Sequence, residues 1–261
     1  MWLLLSPDWS RGRLDAWFIT RMNTSLLGVA GASVLVASVD WFSKVRSFQW
    51  CGRIASRIDT RERAVALTFD DGPNPPYTER VLSALARRGV RATFFLVGKQ
   101  VVRFPDTVRH IVEAGHEIGN HSYSHCRLIL KHPALIRKEI VLTDRVLRNA
   151  GVTGEIPFRA PYCRKLFVLP YVLATMNKLH ITFDIMSSPA DYDGAPAGVV
   201  CDYVLRYARP GSIIVLHDGS FRAPSDRSNV VEATRLIIER MTAEGYRFAR
   251  VRELLSLARA R

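Results

Sequence analysis

The sequence predicts an α/β protein whose strands close into a barrel or barrel-like sheet. Two observations lead there. Apolar runs such as Val65-Ala66-Leu67 and Ile213-Ile214-Val215-Leu216 are continuous rather than alternating, as in strands covered on both faces of a parallel sheet. Between such runs lie stretches of helical periodicity, so that seven β units alternate with helices from about Arg61 onward. Barrels and related α/β folds are built in that way.

In chain order, strands are expected at Val65–Phe69, Ala92–Val97, His116–Gly119, Ile156–Phe158, His180–Ile185, Ser212–Leu216 and Tyr246–Val251. Helices are expected at Thr78–Arg88, Pro105–Ala114, Pro133–Ala150, Leu166–Asn177, Gly198–Ala208 and Asn229–Glu244. The first helix has an apolar stripe at Leu82, Leu85 and Ala86, and Gly89 stops it. The main folded domain is expected over residues 61–258, preceded by an extension over residues 1–60.

Within that extension, Ser25–Val39 carries no charge. Arg11, Arg13 and Arg21 precede it and Asp40 ends it. A membrane span needs about 20 residues, whereas a signal-peptide core needs roughly 7–15 after a basic region. A tilted span, a signal core and a helix packed on the domain all remain open. The expectation adopted is a membrane-facing or anchoring segment, which favours a membrane-associated or extracytoplasmic enzyme over a cytoplasmic one.

An apolar fraction of 48% and a charged fraction of 23% are those of an ordinary globular protein. The net charge of +13 favours anionic neighbours: a membrane surface, a lipid-linked sugar phosphate or an acidic polymer. No Lys/Arg block or aromatic-interleaved basic stripe points to nucleic acid. Cys51, Cys126, Cys163 and Cys201 form no CxxC, which argues against a zinc knuckle or a thioredoxin-type site. Free thiols and two bridges both remain open.

The chemistry-bearing residues gather where strands end. Asp70 and Asp71 follow the first strand, in Thr68-Phe69-Asp70-Asp71-Gly72-Pro73. His121 and His125 follow the third, in His121-Ser122-Tyr123-Ser124-His125. Arg159 and Tyr162 follow the fourth, Asp191 the fifth and His217 the sixth. Singly, each has a plain reading: a turn, an ion-pair arginine, a loop cap. In α/β barrels, however, the loops after strand C-termini converge on one mouth. One carboxylate and two imidazoles there would suit a divalent metal with open positions. The second carboxylate would be left to take a proton from water. His110, His116, His132 and His180 lack this placement and read as structural.

In this order and spacing the motifs resemble those of the NodB-homology polysaccharide deacetylases, carbohydrate esterase family 4. Thr68–Gly72 matches the TFDDG motif, His121–His125 the His-Ser/Thr-x-x-His motif, and Arg159–Tyr162 the Arg-x-Pro-Tyr motif. Pro189–Tyr192 looks like the Asp-x-x-Asp-Trp region, and Val215–His217 like Leu-x-His. The resemblance covers roughly residues 61–255. It implies a distorted (β/α)7 barrel and a metal-dependent hydrolase that removes acetyl groups from an amino-sugar oligomer or polymer such as chitooligosaccharide or peptidoglycan.

The resemblance also implies roles. Asp71, His121 and His125 would hold one divalent ion, Zn²⁺ in first place and Co²⁺ in second. Asp70 would be the general base, held by Arg159. His217 would be the general acid, tuned by Asp191, and the Tyr162 amide would join an oxyanion site. Tyr192 in place of Trp, and Cys163 in place of Gly, fall near the expected substrate mouth. The alternatives on the same fold are deformylation or deacetylation of a lipid-linked sugar, O-acetyl ester hydrolysis, and hydrolysis of a cyclic imide or ureide.

Overall fold

The computed structural model describes residues 33, 34, 36–186, 194–220 and 225–258. The chain divides into two units, Met1–Lys44 and Val45–Arg261. In the described part of the first, residues 36–44 are helical, with Val36 and Trp41 exposed to solvent. Most of Ser25–Val39 lies outside the described residues. No described helix is long and apolar enough to cross a membrane.

The second unit includes residues 45–60, which contribute a strand and anchoring contacts. Its strands are β1 (Ile54–Ala55), β2 (Ala64–Asp70), β3 (Thr93–Leu96), β4 (Glu117–Asn120), β5 (His180–Ile181), β6 (Ile185–Met186), β7 (Ile213–His217) and β8 (Arg247–Phe248). Its helices are α1 (Tyr77–Ala86), α2 (Gly98–Arg103), α3 (Pro105–Glu113), α4 (Pro133–Asn149), α5 (Val168–Thr175), α6 (Ala197–Tyr207), α7 (Ser228–Ala243) and α8 (Val251–Leu255).

The main sheet runs β4-β3-β2-β7-β6, all parallel, with β8 added to β2. β1 pairs with β5, also in parallel. Single bridges link the two sheets: Phe158 joins Asn120 on one side and His180 on the other, and Arg57 meets Ser212. The result is a mostly parallel α/β barrel, distorted where bridges replace full ladders.

Strand alternation sorts the core into two layers. Ala64 and Ala66 of β2 and Ile213 and Val215 of β7 pack inside with Phe95, Ile181 and Phe183. Val65, Leu67 and Phe69 of β2 and Ile214 and Leu216 of β7 face the helices, meeting Val81 and Leu85 of α1, Val204 of α6 and Ile237 of α7. Both faces are dry, which is why these strands read as unbroken apolar runs.

Three strands differ from expectation for local reasons. Ile156–Phe158 shrinks to a bridge at Phe158, because Pro157 has no N–H to give a ladder and supplies only its carbonyl, to Asn120 N at 2.8 Å. His180–Ile185 splits in two. The Asp184 carboxylate bends the chain there by accepting from Ile213 N (2.8 Å) and Ser212 Oγ (2.9 Å). Tyr246–Val251 ends early because Glu253 accepts from Arg250 N at 2.9 Å and starts α8. Helix α2 was not expected. Its first amides, Gly98 N and Lys99 N, donate to Ser122 O (3.0 Å) and Tyr123 O (2.9 Å), partners far away in the sequence. All four cysteines are free thiols.

Candidate metal centre and active site

Parallel strands put their C-termini on one side. Asp70 is the last residue of β2 and His217 the last of β7, and the two are register partners. Asp71 follows β2 and His121 follows β4, while Arg159 follows the bridge residue Phe158. By alternation Asp70 shares the inner face with Ala64 and Ala66, and His217 with Ile213 and Val215. The structure therefore brings Asp70, Asp71, His121, His125, Arg159 and His217 to one mouth. Asp191 lies outside the described residues, as does Tyr192.

Three side chains converge more closely. His125 Nε2 and His121 Nε2 lie 3.0 Å and 3.4 Å from the same Asp71 oxygen, Oδ1. One ligand atom from each of the three lies within 4.8 Å of the others, and all three side chains are buried. Donors on a tetrahedral ion with bonds of about 2.0–2.1 Å sit roughly 3.3 Å apart. The spacing and the donor types fit such an ion. His121 Nδ1 stands 2.9 Å from the Arg159 carbonyl. As a donor there, it leaves the Nε2 lone pair facing Asp71, as in an imidazole whose other nitrogen is held by a carbonyl so that it can ligate.

Electrostatics prepare the same set. Burial by itself would raise the Asp71 carboxyl, but the facing imidazoles of His121 and His125 hold it well below the usual carboxylate range. Burial pushes the His125 imidazole down, so it is neutral near pH 7 with a lone pair to give.

Asp70 stays outside this trio and has its own partner. Arg159 is fully buried and donates Nη1 to Asp70 Oδ1 at 2.7 Å and to Thr68 Oγ1 at 2.8 Å. Its Nη2 and Nε reach the Thr182 and Ile181 carbonyls at 3.0 and 3.3 Å, and its plane lies 3.9 Å over the Phe95 ring. The arginine is locked at both ends, so the carboxylate it holds is locked too.

Tight backbone delivers these groups. Asp71, Ser122, His125, Tyr162 and Cys163 all have positive φ, between 52° and 72°. That conformation costs about 1–2 kcal/mol for a non-glycine residue, and such strain tends to gather at functional sites. The two histidines thus meet across a turn rather than along a helix, with ring centroids 5.0 Å apart. The Tyr162 ring stands 4.9 Å from His125.

Several supporting residues escaped the sequence reading. Glu139 of α4 accepts from Tyr123 N (2.9 Å), Ser124 N (2.8 Å) and Ser124 Oγ (2.9 Å) and clamps the histidine turn. Asn120 ties the same turn to α4 through Ser122 N, Ile140 O and Asp144. Asp218 is fully buried beside the Asp71 turn, accepts from Thr78 Oγ1 at 2.5 Å, and is pushed up to about 7 by burial. A Cβ on Gly219 would lie 2.3 Å from Asp71 O, so only glycine lets the β7 loop close on the Asp71 turn. The HDG run at 217–219 was a visible hint, but only the fold shows what it touches.

Comparison with known proteins fits this geometry. The family described as Polysaccharide deacetylase matches residues 57–183. A peptidoglycan-N-acetylglucosamine deacetylase of Bacillus cereus is 31% identical over 207 residues, covering 78% of this chain and 93% of the relative. A chitooligosaccharide deacetylase of Bradyrhizobium is 37% identical over 175 residues, 66% of this chain and 77% of the relative. Among solved structures, a peptidoglycan N-acetylglucosamine deacetylase superposes with a TM-score of 0.71 at 29% identity, covering 80% of this chain and 95% of that one. A pseudoenzyme of carbohydrate esterase family 4 from Bacillus anthracis superposes equally well, 0.71 at 25% identity over 79% of this chain and 70% of that one. Fold is thus no warrant of activity, and the side chains at the mouth must carry that argument.

Proposed function

This chain belongs to the polysaccharide deacetylase family, and on that premise we propose that it hydrolyses the N-acetyl group of an amino-sugar glycan, peptidoglycan or chitooligosaccharide, with one divalent ion. Asp71, His121 and His125 would hold that ion, Zn²⁺ before Co²⁺. Zn²⁺ suits a mixed imidazole and carboxylate set and keeps a position open for catalysis. The observation that carries the reading is the two-part carboxylate pair. Asp71 faces both imidazoles, while its neighbour Asp70 turns to Arg159 and pairs in register with His217.

When bound, the ion supplies Lewis acidity, acidifying water and polarising an acetyl carbonyl. Asp70 takes the proton from the attacking water. The Arg159 guanidinium donates to that carboxylate at 2.7 Å and fixes its direction. The amide N–H of Tyr162 is the proposed donor toward the developing oxyanion. Loss of one such donor typically costs about 2.7–4 kcal/mol. His217 gives a proton to the departing amine, which cannot leave as an anion. Its assigned carboxylate partner, Asp191, rests on the sequence motif. Relatives named as peptidoglycan and chitooligosaccharide deacetylases support the amino-sugar substrate.

An acetate-release screen of Zn²⁺-loaded protein over chitooligosaccharides, peptidoglycan, acetylated xylan and lipid-linked sugars tests the assignment. Release from an N-acetylated amino sugar is expected. Release from the O-acetyl groups of xylan alone would overturn it.

A further inference from the structure

Two guanidinium groups and a buried ammonium gather around the Pro161–Cys163 turn at the mouth. Arg127 lies 5.0 Å over the Tyr162 ring, and that ring is itself 4.9 Å from His125. Arg46 lies 4.4 Å over the Phe183 ring, which also stacks on Arg159 at 5.6 Å. One chain of contacts thus runs from Arg127 to a proposed metal ligand, and another from Arg46 to the arginine that holds Asp70. Lys165 is only 3% exposed, and its ammonium donates to the Val45 carbonyl. Burial pushes that ammonium down. Burial raises the Cys163 thiol, and the charges of Arg46, Arg159, Lys165 and Asp70 all bear on it, so they share one neighbourhood.

Arg159 is neutralised by Asp70. Among the described residues, Arg46, Arg127 and Lys165 have no carboxylate within ion-pair distance, and none of the three has a further partner. Arg46 is half-buried and Lys165 buried, whereas Arg127 is exposed; a cation without a counter-charge costs more the more it is desolvated, by several kcal/mol when fully so. The fold maintains the arrangement with a dedicated strap. Residues 45–46 lie ahead of the family-matched stretch, and Thr182 Oγ1 fastens them by donating to Arg46 O at 2.7 Å.

We propose that Arg46 and Arg127 form a subsite for an oxyanion carried by the glycan itself, a carboxylate or a phosphate close to the acetamide being cleaved, with the buried Lys165 adding positive charge to the same neighbourhood. A guanidinium presents a planar fork that matches either group. The overall charge of +13 draws such polymers toward the mouth. The inference rests on reading the mouth as a glycan entrance and narrows that reading to acidic acetylated glycans.

The test is equilibrium binding to the Zn²⁺-loaded full chain, followed by acetate release on the same samples. The probes are neutral chitotetraose, a peptidoglycan disaccharide-tetrapeptide bearing carboxylates, and N-acetylglucosamine 1-phosphate. The wild type should bind an acidic probe about tenfold more tightly than the neutral one, the scale of one charge-assisted hydrogen bond. That preference should shrink as salt is raised. Arg127→Gln and Arg46→Gln should each remove most of the preference, and Arg46→Lys should keep much of it. Whichever acidic probe shows this dependence identifies carboxylate or phosphate as the anion. Equal affinity of wild type for acidic and neutral probes, or equal loss on both in the folded variants, overturns the subsite. Arginine-dependent binding of the acidic probe without acetate release would sink the deacetylase reading and leave the subsite standing. Acetate release from chitotetraose with no acidic preference would do the reverse.

Discussion

Arg159→Met tests the link between the buried arginine and the proposed base. The substitution keeps most of the apolar stem and removes the guanidinium. Four acceptors then lose their donor: Asp70 Oδ1, Thr68 Oγ1, Thr182 O and Ile181 O. The first is a carboxylate only 3% exposed. Removing one partner of a buried ion pair costs about 3–5 kcal/mol, mostly because the other charge is stranded. At about 2–4 °C per kcal/mol for a domain of this size, the melting temperature should fall by roughly 6–20 °C. Asp70→Asn strands the arginine in turn and should also destabilise. In the double variant no charge is stranded, so its loss should be smaller than the sum of the single losses by about 2 kcal/mol. Denaturant titrations of the four proteins complete the cycle. Losses that add to within about 0.5 kcal/mol would show that the pair is not coupled and would refute the argument for how Asp70 is held.

Stripping the metal should abolish acetate release, and one equivalent of Zn²⁺ or Co²⁺ should restore it. Full activity in metal-free protein would end the metal assignment. Asp70→Asn should leave Zn²⁺ binding by dialysis largely intact while lowering turnover by about 10²–10⁴. His217→Ala should harm amide hydrolysis far more than hydrolysis of an activated ester, whose leaving group needs no proton; equal losses count against it as the acid. Gly219→Ala should weaken Zn²⁺ binding by about tenfold or more, since its Cβ would collide with Asp71 O at 2.3 Å. Gly198→Ala, with open space around it, is the control that should not. Finally, burial lowers His116 and His180 from 6.5 to about 4 and about 3. Only the unfolded chain takes up these protons just below pH 6.5, so stability is full above that value and falls as pH drops toward about 4. Each group should contribute up to about 1.4 kcal/mol per pH unit in that window. Denaturant midpoints that stay level from about pH 7 to about pH 5 would contradict this.

What sequence alone settled is what short-range chemistry encodes. Continuous apolar runs reported strands buried on both faces, and the observed layers sort by strand alternation as such runs require. The placement of Asp70, Asp71, His121, Arg159 and His217 at strand ends was legible because parallel strands put every C-terminus on one side. Other features depended on groups far apart in the chain. Helix α2 exists because its amides meet the Ser122 and Tyr123 carbonyls, and β6 begins where Asp184 captures Ile213 N. Glu139 looks like any helix-surface glutamate until α4 packs behind the histidine turn. Gly219 has no visible role until β7 pairs with β2 and closes on Asp71. Division of labour between the two adjacent aspartates was also a tertiary decision. Asp70 keeps the strand's direction and points inward to Arg159. Asp71 has left-handed backbone, with φ 72°, and its carboxylate meets the two imidazoles. Sequence supplies the candidate site residues because residue types and strand ends are local properties; the fold assigns their partners because distances across a barrel are not.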